Sequence, residues 1–266
     1  MTPADAPGVF LRPDWPAPAQ VQALMSTRRG GVSQAPFDSL NLRPSQLGGD
    51  AMDDRASIAE NQRRFAQALG ADPVWLNQVH GARVLRLRVK DPATVQTLPQ
   101  ADASVSTVPG LACAVLVADC LPVLLCSRDG RVVGAAHAGW RGLAGGVLEA
   151  TVAAMGEAAG TAPGELLAWL GPCIGAQAFE VGADVLSAFG ATPALPGARF
   201  IAQARPDGSP RWRADLVGLA RDRLAHIGVD HVSGGAGCTV TEPLRFFSFR
   251  RDGRCGRMAA AIAIGG

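Results

Sequence analysis

The fold is decided by residues 111–146, which read LACAVLVADCLPVLLCSRDGRVVGAAHAGWRGLAGG. Apolar runs at 111–118 and 121–126 have the composition of buried β-strands, and a third run follows at 132–137. The dipeptide Asp129-Gly130 stands between the second and third runs, which is a strong signal for a hairpin turn. The segment therefore predicts neighbouring strands joined by a tight hairpin.

The hairpin brings a cysteine and a histidine together. With a two-residue turn, Cys120 lies opposite Gly139, two residues from His137. Because side chains alternate faces, Cys120 and His137 share one face as diagonal neighbours, roughly 7 Å apart at the backbone. That spacing suits two ligands of one metal, or a thiolate with its base. Taken singly, each residue is more typical of ordinary packing or hydrogen bonding.

A thiolate and imidazoles indicate a metal site. Such soft and borderline ligands favour zinc or copper over magnesium or calcium. His80, just ahead of a predicted strand, is the third ligand that we assign, and three protein ligands leave a fourth position for water, as in catalytic zinc sites. His226 and His231 flank a helix end and are interpreted as surface residues. A fourth ligand such as Cys238 or Asp119 would instead favour a structural zinc.

Two loops combine arginine with glycine. The turn Gly139–Gly142 leads into a predicted helix, so free backbone N–H groups and Arg141 form a candidate anion site, with an ordinary glycine turn as the alternative. The loop Thr27–Gly31, which contains Arg28, is by itself more typical of a turn than of a site.

The remaining spacing predicts a mixed fold. It predicts helices at 57–69, 143–155 and 215–228, and strands at 84–89, 166–170, 247–249 and 258–264. Mixed strands and helices with several hairpins favour an α+β fold over a purely parallel sheet. No composition shift marks an interdomain linker, so we expect one domain over residues 1–266, in which residues 1–20 form a loosely packed amino-terminal segment.

Composition excludes several classes of protein. The 266 residues are 48% hydrophobic and 18% charged, which is enough to bury a large core. A formal net charge of +2 without basic blocks is not the pattern of a nucleic-acid-binding protein. The apolar stretch 111–126 is interrupted by Asp119 and Pro122 and is too short to span a membrane. No secretory signal is visible and the six cysteines lack paired spacings, so we expect a cytoplasmic protein with free thiols. No obligate protein partner is evident from the sequence.

Read together, these residues resemble the YfiH family, formerly named multicopper polyphenol oxidoreductases or laccase-domain proteins and also described as peptidoglycan editing factors. The resemblance extends over nearly the whole chain through motifs in the same order. These motifs are Ser26–Ser33, Ser39–Leu42, Asn77–His80, Ala118–Cys120, Ala136–Gly142, Gly171–Gly175, Phe179–Gly182 and Phe246–Gly253. Two positions depart from the family: Phe249 stands where tyrosine is frequent, and Arg43 where glycine is common.

The resemblance implies a zinc site made by His80, Cys120 and His137, in agreement with the hairpin argument, with copper as the less favoured ion. It implies phosphorolysis of adenosine, inosine, guanosine or methylthioadenosine and deamination of adenosine, so that the partners are a purine nucleoside and phosphate. The implied fold is a layered α/β/β/α arrangement of mixed sheets that is shared with cysteine-hydrolase-like proteins.

A mechanism follows from this resemblance as a hypothesis. Zinc would lower the pKa of a bound water, which would attack C6 of adenine. Asp119 and Glu180 are the candidate carboxylates that move protons. For phosphorolysis, Arg28 and Arg141 would hold phosphate against the ribose C1′, and Asn41 would contact the base or the sugar.

Three alternatives stay open. Cys120 as nucleophile and His137 as base would serve a metal-free amide or ester hydrolase, for example one that edits a wrongly incorporated amino acid in a cell-wall precursor. Copper-dependent phenol oxidation is disfavoured, because coupled copper centres need many histidines and the chain has four. The third alternative is a zinc-stabilised binding module.

Overall fold

Strands and helices alternate along the chain. The computed structural model describes residues 8–49, 52–88 and 98–266. The strands are β1 (Phe10–Leu11), β2 (Val21–Ser26), β3 (Asp72–Val74), β4 (Val84–Leu87), β5 (Ala103–Ser106), β6 (Leu111–Val117), β7 (Leu121–Ser127), β8 (Val133–Ala138), β9 (Leu166–Leu170), β10 (Glu180–Val181), β11 (Phe200–Ala202), β12 (Trp212–Ala214), β13 (His231–Gly234) and β14 (Met258–Ile264). The helices are α1 (Arg55–Leu69), α2 (Trp140–Ala144), α3 (Val147–Ala159), α4 (Ala183–Ala188), α5 (Leu216–His226) and α6 (Phe249–Asp252).

Two large mixed sheets form the centre of the molecule. One has the order β1-β2-β14-β6-β3, and the other has the order β13-β9-β7-β8-β5-β4. Both contain parallel and antiparallel neighbours. A small third sheet has the order β10-β12-β11. The α+β class predicted from the sequence is confirmed.

Strict alternation on the buried strands explains the layers. On β6, Cys113, Val115 and Val117 belong to a core shared with the second large sheet, whereas alternate residues pack on the other side with Phe65 and Leu69 of α1. The opposite face of the second sheet packs against α3 and α5. Because both large sheets bury both faces, their central strands are continuously apolar. The layers are helix, sheet, sheet, helix, as expected.

The predicted hairpin register is confirmed. Strands β7 and β8 pair antiparallel with Pro122 opposite His137, as a two-residue turn requires. The connection is nevertheless longer than predicted. The N–H of Arg128 donates to the carbonyl oxygen of Glu165 rather than pairing across the turn, and Ser127 closes the loop by accepting from the N–H of Gly130.

The predicted helix at 143–155 is two helices. Gly146 has a positive φ of 88° and separates α2 from α3. Glycine adopts this left-handed conformation without strain. The apolar spacing continues on both sides of Gly146, so the sequence pattern alone does not show that the helix is interrupted there. The helix predicted at 57–69 is confirmed: it is capped by Asp54, whose carboxylate accepts from the N–H of Ser57, and ends at Gly70 with a φ of 73°.

Other predictions needed correction. The predicted strand at 247–249 is wrong, because Phe247 is fully buried in a connecting segment and Phe249 begins α6. In the amino-terminal segment, Val9 is buried and β1 pairs with β2, whereas residues 10–20 are half-buried or exposed. Residues 1–7 and Val89, the predicted end of β4, lie outside the described residues.

No helix in the described ranges is both long and apolar enough to cross a membrane.

Candidate metal centre

The three predicted ligands lie where the chain passes between the two large sheets. His80 is in the connection from β3 of the first sheet to β4 of the second. Cys120 ends the short link from β6 to β7, which also joins the two sheets. His137 is in β8, one residue before its end. Stacking of the sheets therefore brings together residues that are far apart in sequence.

The three side chains converge closely enough to hold one ion. Their ligand atoms all lie within 4.8 Å of one another. Cys120 Sγ is 3.7 Å from His80 Nε2, and the rings of His80 and His137 meet edge to face with centroids 4.8 Å apart. His80 is exposed, Cys120 is half-buried and His137 is only 3% exposed. Over the described ranges, neither Cys238 nor Asp119 joins this group.

The donor set fits a transition metal. Two imidazoles and a thiolate are typical ligands of zinc and of copper, and three protein ligands leave a coordination position for solvent or substrate. The backbone makes room for this arrangement at Gly139, where an added Cβ would lie 2.9 Å from Cys120 Sγ and 3.0 Å from His80 Cδ2. A larger residue at this position would displace Cys120 Sγ and the His80 ring, so glycine leaves room for the ligands to meet.

A buried carboxylate that the sequence analysis missed orients two of the ligands. Asp102 is fully buried and accepts from the backbone N–H groups of Val79, His80 and Gly81 at 3.1, 2.8 and 2.8 Å. The same carboxylate accepts from Nδ1 of His137 at 2.9 Å. This bond fixes the tautomer of His137 and leaves Nε2 free to bind a metal. It also holds the His80 loop, in which His80 has a φ of 61°.

Cys120 and His137 form a thiol and imidazole pair in which each group shifts the pKa of the other. Burial raises the pKa of Cys120, but the positive charge of His137 and hydrogen bonds from both histidines outweigh it and lower this pKa to about 6. Burial lowers the pKa of His137, but the Cys120 thiolate and the Asp102 carboxylate raise it to about 9. Near neutral pH the pair is therefore thiolate and imidazolium, and metal binding must release the imidazolium proton.

The ligands open into a large cavity. Its volume is about 560 Å³, and residues from both large sheets line it. His80, Cys120 and His137 form part of one wall, and Phe249, which is 58% exposed, also lines it. This volume lies in the range of about 300–1,000 Å³ that is usual for small-molecule sites.

Besides the three candidate ligands, two of the predicted catalytic and binding residues line the cavity. Arg141 does so at the start of α2, where its guanidinium stacks on the Trp140 ring at 4.4 Å. Asp119 also lines it, in the link between the sheets rather than in a regular strand, with a φ of 96°. Its two carboxylate oxygens accept from the hydroxyl of Thr239 and the N–H of Arg250, both at 2.6 Å. Asp119 therefore ties together the link before β7, the Thr239 segment and α6.

The other three predicted residues do not line the cavity. The carboxylate of Glu180 is paired with Arg205 at 2.5 Å, so its predicted role in proton transfer is not favoured by its position. Arg28 donates to the carbonyl oxygens of Asp38 and Pro243 and to the Asp38 carboxylate, so its guanidinium is used within the fold. Asn41 is fully buried and bonds to the protein rather than facing the cavity.

The cavity contains further arginines that the sequence analysis did not assign to the site. Arg43, Arg250 and Arg257 line it together with Arg141. These residues are far apart in sequence, and no local motif marks them as neighbours. The one available signal was Arg43, where the resemblance leads one to expect glycine.

The fold and the site together define a layered α/β/β/α protein with a His-Cys-His group that could hold a metal ion and that faces an open cavity. The chain belongs to the family described as multi-copper polyphenol oxidoreductase laccase, whose model matches residues 22–265. The resemblance to the YfiH family is thereby confirmed.

Relatives and solved structures agree with this assignment. The chain is 51% identical over 254 residues to a Pseudomonas aeruginosa protein named purine nucleoside phosphorylase, covering 95% of this chain and 97% of the relative. It is 49% identical over 255 residues to purine nucleoside phosphorylase YfiH of Escherichia coli strain K12, covering 95% and 98%. The crystal structure of YfiH from Bacillus licheniformis superposes with a TM-score of 0.84 at 30% identity, covering 98% of this chain and 97% of that one.

Proposed function

We propose that this chain is a zinc-dependent purine nucleoside enzyme, which phosphorolyses adenosine, inosine, guanosine or methylthioadenosine and deaminates adenosine. The observation that carries the proposal is the three-ligand group on the wall of a nucleoside-sized cavity. The names of the relatives support the phosphorylase activity.

Zinc is the metal that the donor set favours. The family description refers to copper, but coupled copper centres need many histidines, and this chain has four. Two of these, His226 and His231, lie outside the metal group and are exposed. When bound by His80, Cys120 and His137, zinc would supply Lewis-acid chemistry and would lower the pKa of a bound water.

The cavity residues provide binding and orientation. We assign Phe249 as the platform for the purine, because its ring is exposed, lines the cavity and can stack on a base. Arg141 is available to bind an anion near the metal group, because its guanidinium stacks on Trp140 and forms no ion pair within the described ranges. Asp119 positions the Cys120 link, and its role in proton transfer stays a prediction.

Metal analysis combined with a nucleoside panel tests this proposal. The purified protein should contain about one zinc ion per chain and should turn over nucleosides with orthophosphate, and adenosine also without it. Cys120→Ala should abolish metal binding and both activities. The matched control is Cys126→Ala, which removes a fully buried thiol from the same β7 region, away from the cavity. Full nucleoside turnover by chelated Cys120→Ala would overturn the proposal.

A specific observation also favours a second candidate. Asp102, His137 and Cys120 have the order of an orienting carboxylate, a base and a nucleophile, as in cysteine hydrolases. A metal-free amide hydrolase would attack its substrate with Cys120, as the editing of a cell-wall precursor requires. A chelator would leave such an enzyme active and a thiol alkylator would inactivate it, whereas a chelator would inactivate the zinc enzyme.

A further inference from the structure

The cavity wall carries positive charge that no acidic side chain of the described residues balances. Four arginines line it: Arg43, Arg141, Arg250 and Arg257. None of them pairs with an acidic side chain in the parts of the chain that the structure describes, although many other arginines there do so. Asp119 is the acidic residue among the lining residues, and both of its oxygens accept from other groups.

Two of these arginines are held next to each other by one buried side chain. The Oδ1 atom of Asn41 accepts from the backbone N–H of Arg43 at 3.2 Å and from that of Arg257 at 2.9 Å. Between these bonds, the N–H of Leu42 donates to the carbonyl oxygen of Arg257 at 3.0 Å. Asn41 is fully buried, so both backbones are fixed. The predicted ligand contact of Asn41 is thus replaced by a role in positioning two cations.

Both guanidinium groups keep donors for a ligand. Arg43 donates through Nη2 to the carbonyl oxygen of Leu47 at a long 3.5 Å. Arg257 donates through Nη1 to the carbonyl oxygens of Cys255 and Gly256 at 3.0 and 3.1 Å. The remaining nitrogens, Nε and Nη1 of Arg43 and Nε and Nη2 of Arg257, have no acceptor among the described residues.

The electrostatic situation is unfavourable without a ligand. Partial burial and the nearby charge of Arg257 lower the pKa of Arg43. Two guanidinium groups that are held close together and partly desolvated repel each other, and an anion between them removes this repulsion. Planar guanidinium groups bind phosphate oxygens through paired hydrogen bonds, which a single ammonium group cannot do.

We propose that Arg43 and Arg257 form an anion subsite that binds a phosphate group inside the cavity. The inference rests on the proposed function for the nature of the ligand, which is either free orthophosphate, as phosphorolysis requires, or the 5′-phosphate of a purine nucleotide. Both sources present the same oxygen atoms to the two guanidinium groups. Arg43 and Arg257 take the phosphate-binding role that the sequence analysis gave to Arg28, because the Arg28 guanidinium is hydrogen-bonded within the fold.

Calorimetric titration of the zinc-loaded protein tests the subsite. The titrants are orthophosphate, adenosine 5′-monophosphate and adenosine, and the proteins are wild type, Arg43→Gln and Arg257→Gln. The matched control is Arg254→Gln, three residues from Arg257, which is exposed, stacks on Phe37 at 5.1 Å and does not line the cavity. Thermal unfolding of each variant checks that it folds. If one of the two cavity variants does not fold, the other still tests the subsite.

The arms of the titration separate the two sources of phosphate. If orthophosphate is the ligand, each cavity variant should bind it at least about tenfold more weakly than wild type, and the control should match wild type. If the nucleotide phosphate is the ligand, wild type should bind the monophosphate at least about tenfold more tightly than adenosine, and either substitution should remove this advantage. Both results support the subsite.

Two results would overturn the subsite. One is unchanged affinity of both folded variants for orthophosphate and for the monophosphate, as expected if phosphate binds only to the metal. The other is a wild-type protein that binds neither. Deamination of adenosine by wild type, measured without phosphate, tests the proposed function separately. A protein that binds phosphate through these arginines but turns over no nucleoside would keep the subsite and refute the proposed function.

Discussion

The substitution Asp102→Asn tests whether a buried carboxylate holds the metal ligands in place. Asp102 accepts four hydrogen bonds, two on each oxygen: Oδ1 accepts from His80 N and His137 Nδ1, and Oδ2 from Val79 N and Gly81 N. Asparagine has nearly the same shape but only one acceptor oxygen, with an NH₂ group in place of the other. Whichever way the asparagine amide is turned, two of the four N–H groups then face its NH₂ group, which cannot accept a hydrogen bond.

The magnitude follows from this count. Two buried hydrogen bonds are lost, at about 1–1.5 kcal/mol each, so the free energy of unfolding should fall by about 2–3 kcal/mol. At His137 Nδ1, asparagine presents either an uncharged oxygen, which is a weaker acceptor than the carboxylate, or an NH₂ group, which accepts no hydrogen bond. Removal of such an orienting partner typically weakens metal binding about 10–100-fold. The variant should therefore fold, bind zinc weakly and lose most nucleoside turnover at limiting zinc.

Denaturant unfolding of the chelated protein gives the first quantity, and competition with a zinc chelator of known affinity gives the second. Ser104→Ala is the matched control, because Ser104 is fully buried in β5, two residues after Asp102, and does not line the cavity. An Asp102→Asn variant that binds zinc as tightly as wild type would refute the reasoning, even if its stability had fallen.

Three further predictions concern the same site. Gly139→Ala should lower the zinc content strongly, because the added Cβ would lie 2.9 Å from Cys120 Sγ and 3.0 Å from His80 Cδ2. The control Gly164→Ala, whose added Cβ would lie 3.8 Å from its nearest neighbour, should keep the zinc content of wild type. Equal zinc content in the two variants would contradict this prediction. In the chelated protein, alkylation of Cys120 by iodoacetamide should speed up as the pH rises through about 6, since only the thiolate reacts; a midpoint above pH 8 would be inconsistent with the lowered pKa. Phe249→Ala should raise KM for nucleosides about tenfold through lost stacking, with little loss of stability because the ring is 58% exposed; an unchanged KM would exclude the platform.

The sequence was sufficient to predict the hairpin and which of its side chains lie on the same face. Alternation with a period of two and an Asp-Gly turn determine which residues of β7 and β8 share a face, and the observed register matches. The convergence of Cys120 and His137 follows from this local rule. His80 comes from another connection between the sheets, and only the family resemblance identified it with any specificity.

Other features depend on long-range packing and have no local signature. Asp102 is one acidic residue beside a strand, and only the folded chain shows that it binds three successive backbone N–H groups. The separation of β6 and β7 into different sheets is equally hidden, because both are uniformly apolar runs. Arg43 and Arg257 are 214 positions apart in the printed sequence and meet through Asn41. Arg28 looked suitable for anion binding because residue type and glycine content do not reveal existing hydrogen bonds.

X-ray absorption spectroscopy at the zinc edge tests most directly whether His80, Cys120 and His137 hold one ion with a free coordination position. The account predicts about one sulfur at about 2.3 Å, two imidazole nitrogens at about 2.0–2.1 Å and one light, exchangeable ligand. Cys120→Ala, which should not bind zinc, should give no signal from this site. A protein that binds no metal, or an ion with a second sulfur or four protein ligands, would contradict it.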